Sequence, residues 1–275
     1  MNIITQTQKE QILEAVTSAG QGLLSAHDIE SHMKVKPGDA NFATEWDVET
    51  QRVLCARLHE IIPEAKMIAE ESTSVDDKST RAAEGVSEED ALIFIVDPID
   101  GTTNFIHGLS HSAVSVAVAK GGTPVFGCVY NPYLDEMFHA AAGEGAFMRK
   151  KGADTPIHVS TRTLENALCA FGTTPYDRSY ADETFSLAKK LFLSTREIRR
   201  EGSAALDICY VACGRYDVYF ELRLSPWDFA AAEVIINEAG GILSRIDGGT
   251  IDARQPTSVL ATNIAARADA VKILK

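Results

Sequence analysis

Five apolar residues in a row, Leu92-Ile93-Phe94-Ile95-Val96, run straight into Asp97-Pro98-Ile99-Asp100-Gly101-Thr102-Thr103-Asn104. An unbroken apolar run of that length fits a strand buried on both faces. Pro98 stops the ladder, Gly101 permits a tight turn, and two carboxylates three residues apart stand at the strand's end. So close together they repel, and one takes up a proton unless a cation neutralises the pair. All-oxygen ligands suit a hard divalent ion, Mg²⁺ before Ca²⁺ or Mn²⁺. The segment is not an EF-hand, because it lacks the alternating acids and has Gly108 where a bidentate Glu is needed. An ion-free Asp-Gly turn is the plain alternative, and spacing alone does not choose between them.

Around that strand the chain divides in two. Thr7 and Glu10 have capping-box spacing ahead of a helical stripe, Ile12, Val16, Leu23 and Leu24. A second helix is expected from about Thr44 to Ile62, stopped by Pro63, and Met67-Ile68-Ala69 then leads to Glu70. Ser72 to Asp90 is polar and without periodicity, as in a lid, a functional loop or an insert. Beyond Asp100, strands at Ala113–Ala119, Val125–Tyr130, Met137–Ala141 and Ala146–Arg149 are joined by short Gly, Pro and Asn turns, which favours an antiparallel meander. The second half alternates strands near Leu168, Ile198, Val218, Ile242 and Val259 with helices at Thr184–Leu193, Ser203–Cys213, Pro226–Ala239 and Ile264–Leu274. The expectation is one unit over 1–275. Its N-terminal lobe, about 1–151, carries the meander sheet; its C-terminal lobe, about 152–275, carries a mixed one.

The charge balance excludes several roles. With 39 Asp+Glu against 26 Lys+Arg the net charge is −13, and no basic block is present, so neither nucleic acid nor anionic lipid is an expected partner. Five cysteines without metal or CxxC spacing read as free thiols of a reducing cytoplasm. There is no apolar leader and no run of 18 apolar residues, which argues against secretion or membrane insertion.

Further acids stand at element ends. Glu70 follows a short strand, where a solvated loop is the bland reading. Asp228 and Asp47 open helices, where a carboxylate complementing the dipole is enough to explain each. Glu221 ends a strand from Tyr216, on the face opposite Phe220. Gly202-Ser203-Ala204-Ala205 opens a helix whose amides could bind an anion, or whose Ser could simply cap it. Arg199, Arg200 and Arg223 could meet a phosphate but read as surface charges. Gly108 between His107 and His111 spoils a helical zinc pair, and no serine elbow, Walker loop or dinucleotide fingerprint is present.

Taken together, Asp97-Pro98-Ile99-Asp100-Gly101-Thr102, Gly202-Ser203-Ala204-Ala205, the stretch Cys209 to Glu221, and Pro226-Trp227-Asp228 with Glu238-Ala239-Gly240-Gly241 carry a resemblance. In order and spacing the chain resembles the inositol monophosphatase family, within the Mg²⁺-dependent, Li⁺-sensitive phosphatases, over about residues 8–270. Two departures are Ala69 and Ala232, where the family commonly has Gly. The resemblance implies an α/β (α+β type) fold, the layered αβαβα sandwich of the inositol monophosphatase and fructose-1,6-bisphosphatase kind.

It also implies a chemistry. One Mg²⁺ would sit on Glu70, Asp97 and the Ile99 carbonyl, a second on Asp97, Asp100 and Asp228, and a weaker third near Glu70. Mn²⁺ could substitute; Li⁺ and Ca²⁺ would inhibit. Thr102 with Glu70 would activate water, and Asp47 and Lys36 would stand behind them. The amides of Gly101 and Thr102 would hold the phosphate. Asp100, Ala204 and Glu221, with Gly202, Ser203 and Thr173 nearby, would receive the inositol hydroxyls. The function implied is that of a phosphoric monoester hydrolase, inositol monophosphate its leading substrate, in a cytoplasmic homodimer. Fructose 1,6-bisphosphate, histidinol phosphate and adenosine 3′,5′-bisphosphate are alternatives on the same core. A regulatory protein that keeps the fold and works by docking is a rival of another class.

Overall fold

The central run forms the inner part of β4 (Leu92–Asp100), whose side chains alternate between two cores. Ile93 and Ile95 face one, Phe94 and Val96 the other. In this computed structural model, residues 3–27, 29, 33–36, 42–71 and 91–275 are described, so the polar stretch Ser72–Asp90 lies outside the described residues. Pro98 does not end the strand. The ladder with β5 (Ala113–Lys120) shifts register between Asp97 and Asp100 and then resumes at Ala113, so the bulge absorbs the missing N–H.

The large sheet has seven strands in sequence order: β3 (Lys66–Ala69), β4, β5, β6 (Thr123–Asn131), β7 (Glu136–Ala141), β8 (Ala146–Lys150) and β9 (Ala153–Pro156). It is the expected meander with two differences. β3 lies parallel to β4 rather than antiparallel, and β9 extends the sheet to Pro156, past the expected junction near 152. The second sheet runs β11 (Glu197–Arg199), β10 (Leu168–Phe171), β12 (Val218–Leu224), β14 (Thr257–Thr262), β13 (Ile242–Ser244). Its first three strands are parallel and the rest antiparallel. A short hairpin, β1 (Met33–Val35) with β2 (Phe42–Thr44), precedes both.

Helices fill the layers between and outside these sheets. α1 (Gln6–Leu23) and α2 (Glu45–Ile61) cover the outer face of the large sheet, burying Ile12, Val16, Leu54 and Leu58 against Phe94 and Val116. The cap of α1 is Thr5 with Gln8, not Thr7 with Glu10. Ile4, 3% exposed, anchors the chain two residues before α1, which settles the choice between the two overlapping frames. Leu24 falls beyond the helix and is half exposed. Between the sheets lie α5 (Ala204–Ala212) and α6 (Pro226–Glu238), and beyond the second sheet α4 (Ala181–Phe192) and α7 (Ile264–Leu274). The order is α, β, α, β, α, with an apolar core at each sheet's covered face.

α6 comes unusually near the large sheet. A Cβ on Gly127 in β6 would lie 2.2 Å from the carbonyl oxygen of Ala231, and Ala230, Ala231 and Ala232 are all fully packed. No described helix is long and apolar enough to cross a membrane.

Candidate metal centre

Three strand and helix ends converge on one point. The bulge of β4 offers Asp97 and Asp100, the start of α6 offers Asp228, and one carboxylate oxygen of each lies within 4.8 Å of the others. Asp97 and Asp100 are 1% and 6% exposed. Glu70, at the end of β3, joins them: its amide donates to the Val96 carbonyl (3.2 Å), and the Asp97 carboxyl hydrogen-bonds its own. Burial, then the neighbouring carboxylates, pushes Asp97 and Asp228 well above the ordinary carboxylate range; Asp100 is pushed up to about 6 by burial, against the pull of its hydrogen bonds. Glu70 is raised by burial too, although Lys36 opposes the shift. Four desolvated acids in contact fit a cation and little else; oxygen-only donors fit a hard divalent one.

Asp47 and Asp228 do open helices, as expected, but each does more than complement the dipole: its carboxylate closes a capping box, and that does not compete with a place beside the acidic cluster. Asp228 Oδ2 accepts from the Ser225 amide (2.7 Å) in a capping box, which fixes the carboxylate that points at Asp97. Asp47 Oδ2 takes both the amide (2.6 Å) and hydroxyl (2.5 Å) of Thr44, leaving Oδ1 3.4 Å from the Thr102 hydroxyl. Burial raises Asp47 to about 6. The Thr102 hydroxyl also reaches the Ile99 carbonyl (3.1 Å), while the Ile99 amide donates to Asp97 Oδ1 (2.9 Å). Lys36 bridges Glu70 (3.2 Å) and Glu71; burial pulls its pKa down, but the two carboxylates prevail and hold it above the ordinary value.

The helix opening at Gly202-Ser203 departs from both readings of it. Ser203 stands at the N-cap of α5 without capping through its side chain. Its hydroxyl pairs with Asp100, whose carboxylate accepts the amides of Ala204 (3.3 Å) and Ala205 (2.9 Å). The free amides are taken by a carboxylate from the other sheet.

A cleft opens beside the acids, lined by Asp100, Gly101, Thr102, Tyr176, Ser203, Ala204, Glu221 and Asp228. Glu221 faces it, as the alternation with Phe220 requires, from a strand that continues to Leu224. It is 5% exposed; burial raises its pKa, and it accepts from the Tyr219 hydroxyl (2.6 Å) and the Thr174 amide (2.6 Å). Thr174 holds φ +44°, a conformation β-branched residues avoid, in aiming that amide. Two liners, Tyr176 and Asp207, went unforeseen in the sequence, and a third, Arg200, read there as a surface charge. Tyr176 is half exposed, yet loss of water around its hydroxyl and four nearby carboxylates push its pKa well up. Asp207, 1% exposed, sits 3.4 Å from His111 Nε2. Arg200 lines the cleft rather than the surface, its Nη2 donating to the Thr173 hydroxyl (2.9 Å). Arg199 turns away to Glu197 and the Ile198 carbonyl, and Arg223 is exposed.

The family model described as the inositol monophosphatase family matches residues 4–274. "Nus factor SuhB" of Vibrio cholerae serotype O1 is 34% identical over 91% of this chain and 89% of its own length. "Inositol monophosphatase 2" of Solanum lycopersicum is 37% identical over 91% of each. The crystal structure of the extragenic suppressor protein suhB from Bartonella henselae superposes with a TM-score of 0.83 at 31% identity, covering 97% of each chain. An acidic cluster at the end of a bulged strand, a helix-borne third acid and a glycine-lined cleft thus occur in a chain that belongs to the inositol monophosphatase family.

Proposed function

We propose that this chain hydrolyses a small phosphomonoester with the help of divalent cations, and that inositol monophosphate is its substrate. The convergence of Asp97, Asp100 and Asp228 beside a cleft walled by Glu221 carries the reading. Glu70, Asp97 and the Ile99 carbonyl are assigned to one Mg²⁺, Asp97, Asp100 and Asp228 to a second, with a weaker third near Glu70. When bound, the ions supply the positive field that a phosphate dianion needs in a protein of charge −13, and lower the pKa of the attacking water.

The chain's own groups do the rest. Thr102 has one hydroxyl proton, directed at Ile99 or Asp47, so its lone pairs remain to accept a hydrogen bond from water. A proton taken by Thr102 can pass to Asp47 Oδ1, and Glu70 is the second base at hand. The amides of Gly101 and Thr102 receive the phosphate. Glu221, whose two hydrogen bonds favour its charged form against the effect of burial, accepts from the substrate's hydroxyls. A cytoplasmic homodimer inhibited by Li⁺ and Ca²⁺ completes the proposal.

Phosphate release from myo-inositol 1-phosphate by the purified protein tests it. With Mg²⁺ the expected kcat/KM is about 10⁴ M⁻¹s⁻¹ or above, abolished by chelation. No release with Mg²⁺ bound overturns the substrate.

A second reading has one support, the name "Nus factor" borne by relatives at 34–38% identity. On that reading the fold docks to a partner. Loss of such a function in a chain whose Asp97 is replaced would tie it to the metal site; its survival would separate the two roles.

A further inference from the structure

Two glycines make room for opposite charges in the wall of the cleft. A Cβ on Gly172 would stand 1.9 Å from Glu221 Oε2, and one on Gly202, at φ +94°, would stand 2.2 Å from Arg200 Nη1. The positions follow from the second sheet. β11, β10 and β12 are parallel neighbours; β11 leads to Arg200, β10 leads to Gly172 and Thr173, and Glu221 lies on β12 one residue past its last pair with β10, Phe171 with Phe220. Carboxyl ends of adjacent parallel strands are where α/β sheets place ligands, and two strand spacings set the flanking backbones about 10 Å apart.

Arg200 is fixed there without being neutralised. Its Nη2 donates to Thr173 Oγ1, and it forms no ion pair among the described residues, whereas Arg149, Arg162 and Arg215 each hold a carboxylate. Four of its five N–H groups are left over from the Thr173 bond. Glu221 is the converse: each of its oxygens accepts one hydrogen bond and keeps a lone pair. A hydroxyl group both donates and accepts. Adjacent hydroxyls on one carbon ring can therefore satisfy both walls. A second phosphate could not, because Glu221, Asp207 and Asp100 line the same cleft and would repel it.

We propose that Arg200 determines specificity: it donates to one hydroxyl oxygen of a polyol leaving group while Glu221 accepts from the neighbouring hydroxyl. This rests on the phosphatase reading above and adds a donor to it. Nothing covalent changes at Arg200, so its effect belongs to recognition of the leaving group rather than to attack on phosphorus.

The test compares KM for myo-inositol 1-phosphate, 4-nitrophenyl phosphate and fructose 1,6-bisphosphate in the wild type, Arg200→Ala and Arg200→Gln, each with Mg²⁺. For Arg200→Ala the ratio of KM for the inositol ester to KM for the aryl ester should rise about tenfold, the effect of one charge-assisted hydrogen bond. Arg200→Gln, which keeps a donor and loses the charge, should recover part of that ratio. A merely structural role would change all substrates together and leave the ratio where it was, overturning the proposal. A loss as large in Gln as in Ala, greatest for the bisphosphate, would make Arg200 an anion receptor and overturn it equally. Should the wild type hydrolyse none of the three, the phosphatase reading itself fails and takes this assignment with it. Turnover with an unchanged ratio strikes Arg200 alone.

Discussion

Asp100 caps the helix that Ser203 begins. The serine occupies the N-cap position of α5 but turns its hydroxyl to the carboxylate, and the carboxylate takes the first two amides. A carboxylate of the acidic cluster, carried by the large sheet, is thereby tied to a helix leading into the second. Ser203→Ala removes one charge-assisted hydrogen bond from a buried acid and should destabilise the fold by about 1.5–3 kcal/mol in urea denaturation. An unchanged midpoint would show that the two amides suffice.

Asp97 touches most of the cluster. It faces Glu70, Asp100 and Asp228, and its Oδ1 is held by the Ile99 amide. Asp97→Asn keeps the shape and deletes the charge, so turnover should fall about a thousandfold or more at saturating Mg²⁺, with little change in thermal stability measured in chelator. Near-normal turnover would remove Asp97 from the reaction.

Gly172 and Glu221 should behave as a single unit. A methyl group on Gly172 must displace the carboxylate it would overlap. Gly172→Ala and Glu221→Gln are each expected to raise KM for inositol monophosphate by about tenfold, and the double variant little further. Additive effects would mean that the glycine serves the backbone and not the carboxylate.

Stability should depend on pH in an unusual direction once divalent ions are removed. Burial lifts Asp47 and Asp100 from 3.8 to about 6, so between about pH 4 and 6 the folded chain keeps protons that the unfolded chain has released. A raised folded pKa contributes stability at low pH that is lost as pH rises through it, and Asp97 and Asp228 extend the loss upward. Asp154, drawn down to about 2, chiefly by Arg149, acts in the opposite sense, but only below about pH 4. In chelator, Tm should therefore drop by several degrees from pH 5 to pH 7.5, and Mg²⁺ should restore most of it. A Tm that rises over that interval in chelator would contradict the geometry.

What the sequence made legible was what is local. The apolar run with its paired acids, the Thr44 start of α2 and the limits of α7, expected and observed at Ile264–Leu274, depend on neighbours in the chain. Glu221's direction followed from a two-residue period. What stayed hidden depends on distant partners. Arg200 reads like its neighbour Arg199 until the order of β11, β10 and β12 puts only one of them in the cleft. The cap of α5 comes from a residue 103 positions away, so Ser203 looked sufficient. Asp47 and Asp228 read as acids complementing a helix dipole or as site residues, although one carboxylate has two oxygens and can cap a helix and face the cluster at once.

The contact between Gly127 and Ala231 has a practical side. It joins backbone to backbone, and three residues earlier the same helix presents Asp228. The aim of one carboxylate of the acidic cluster is therefore set by two residues that have no polar side chain and lie outside the cleft. Anyone reshaping this pocket for another substrate has freedom at Arg200 or Tyr176, whose side chains line the cleft itself. There is almost none behind α6, where adding one carbon atom would shift the helix and carry Asp228 with it.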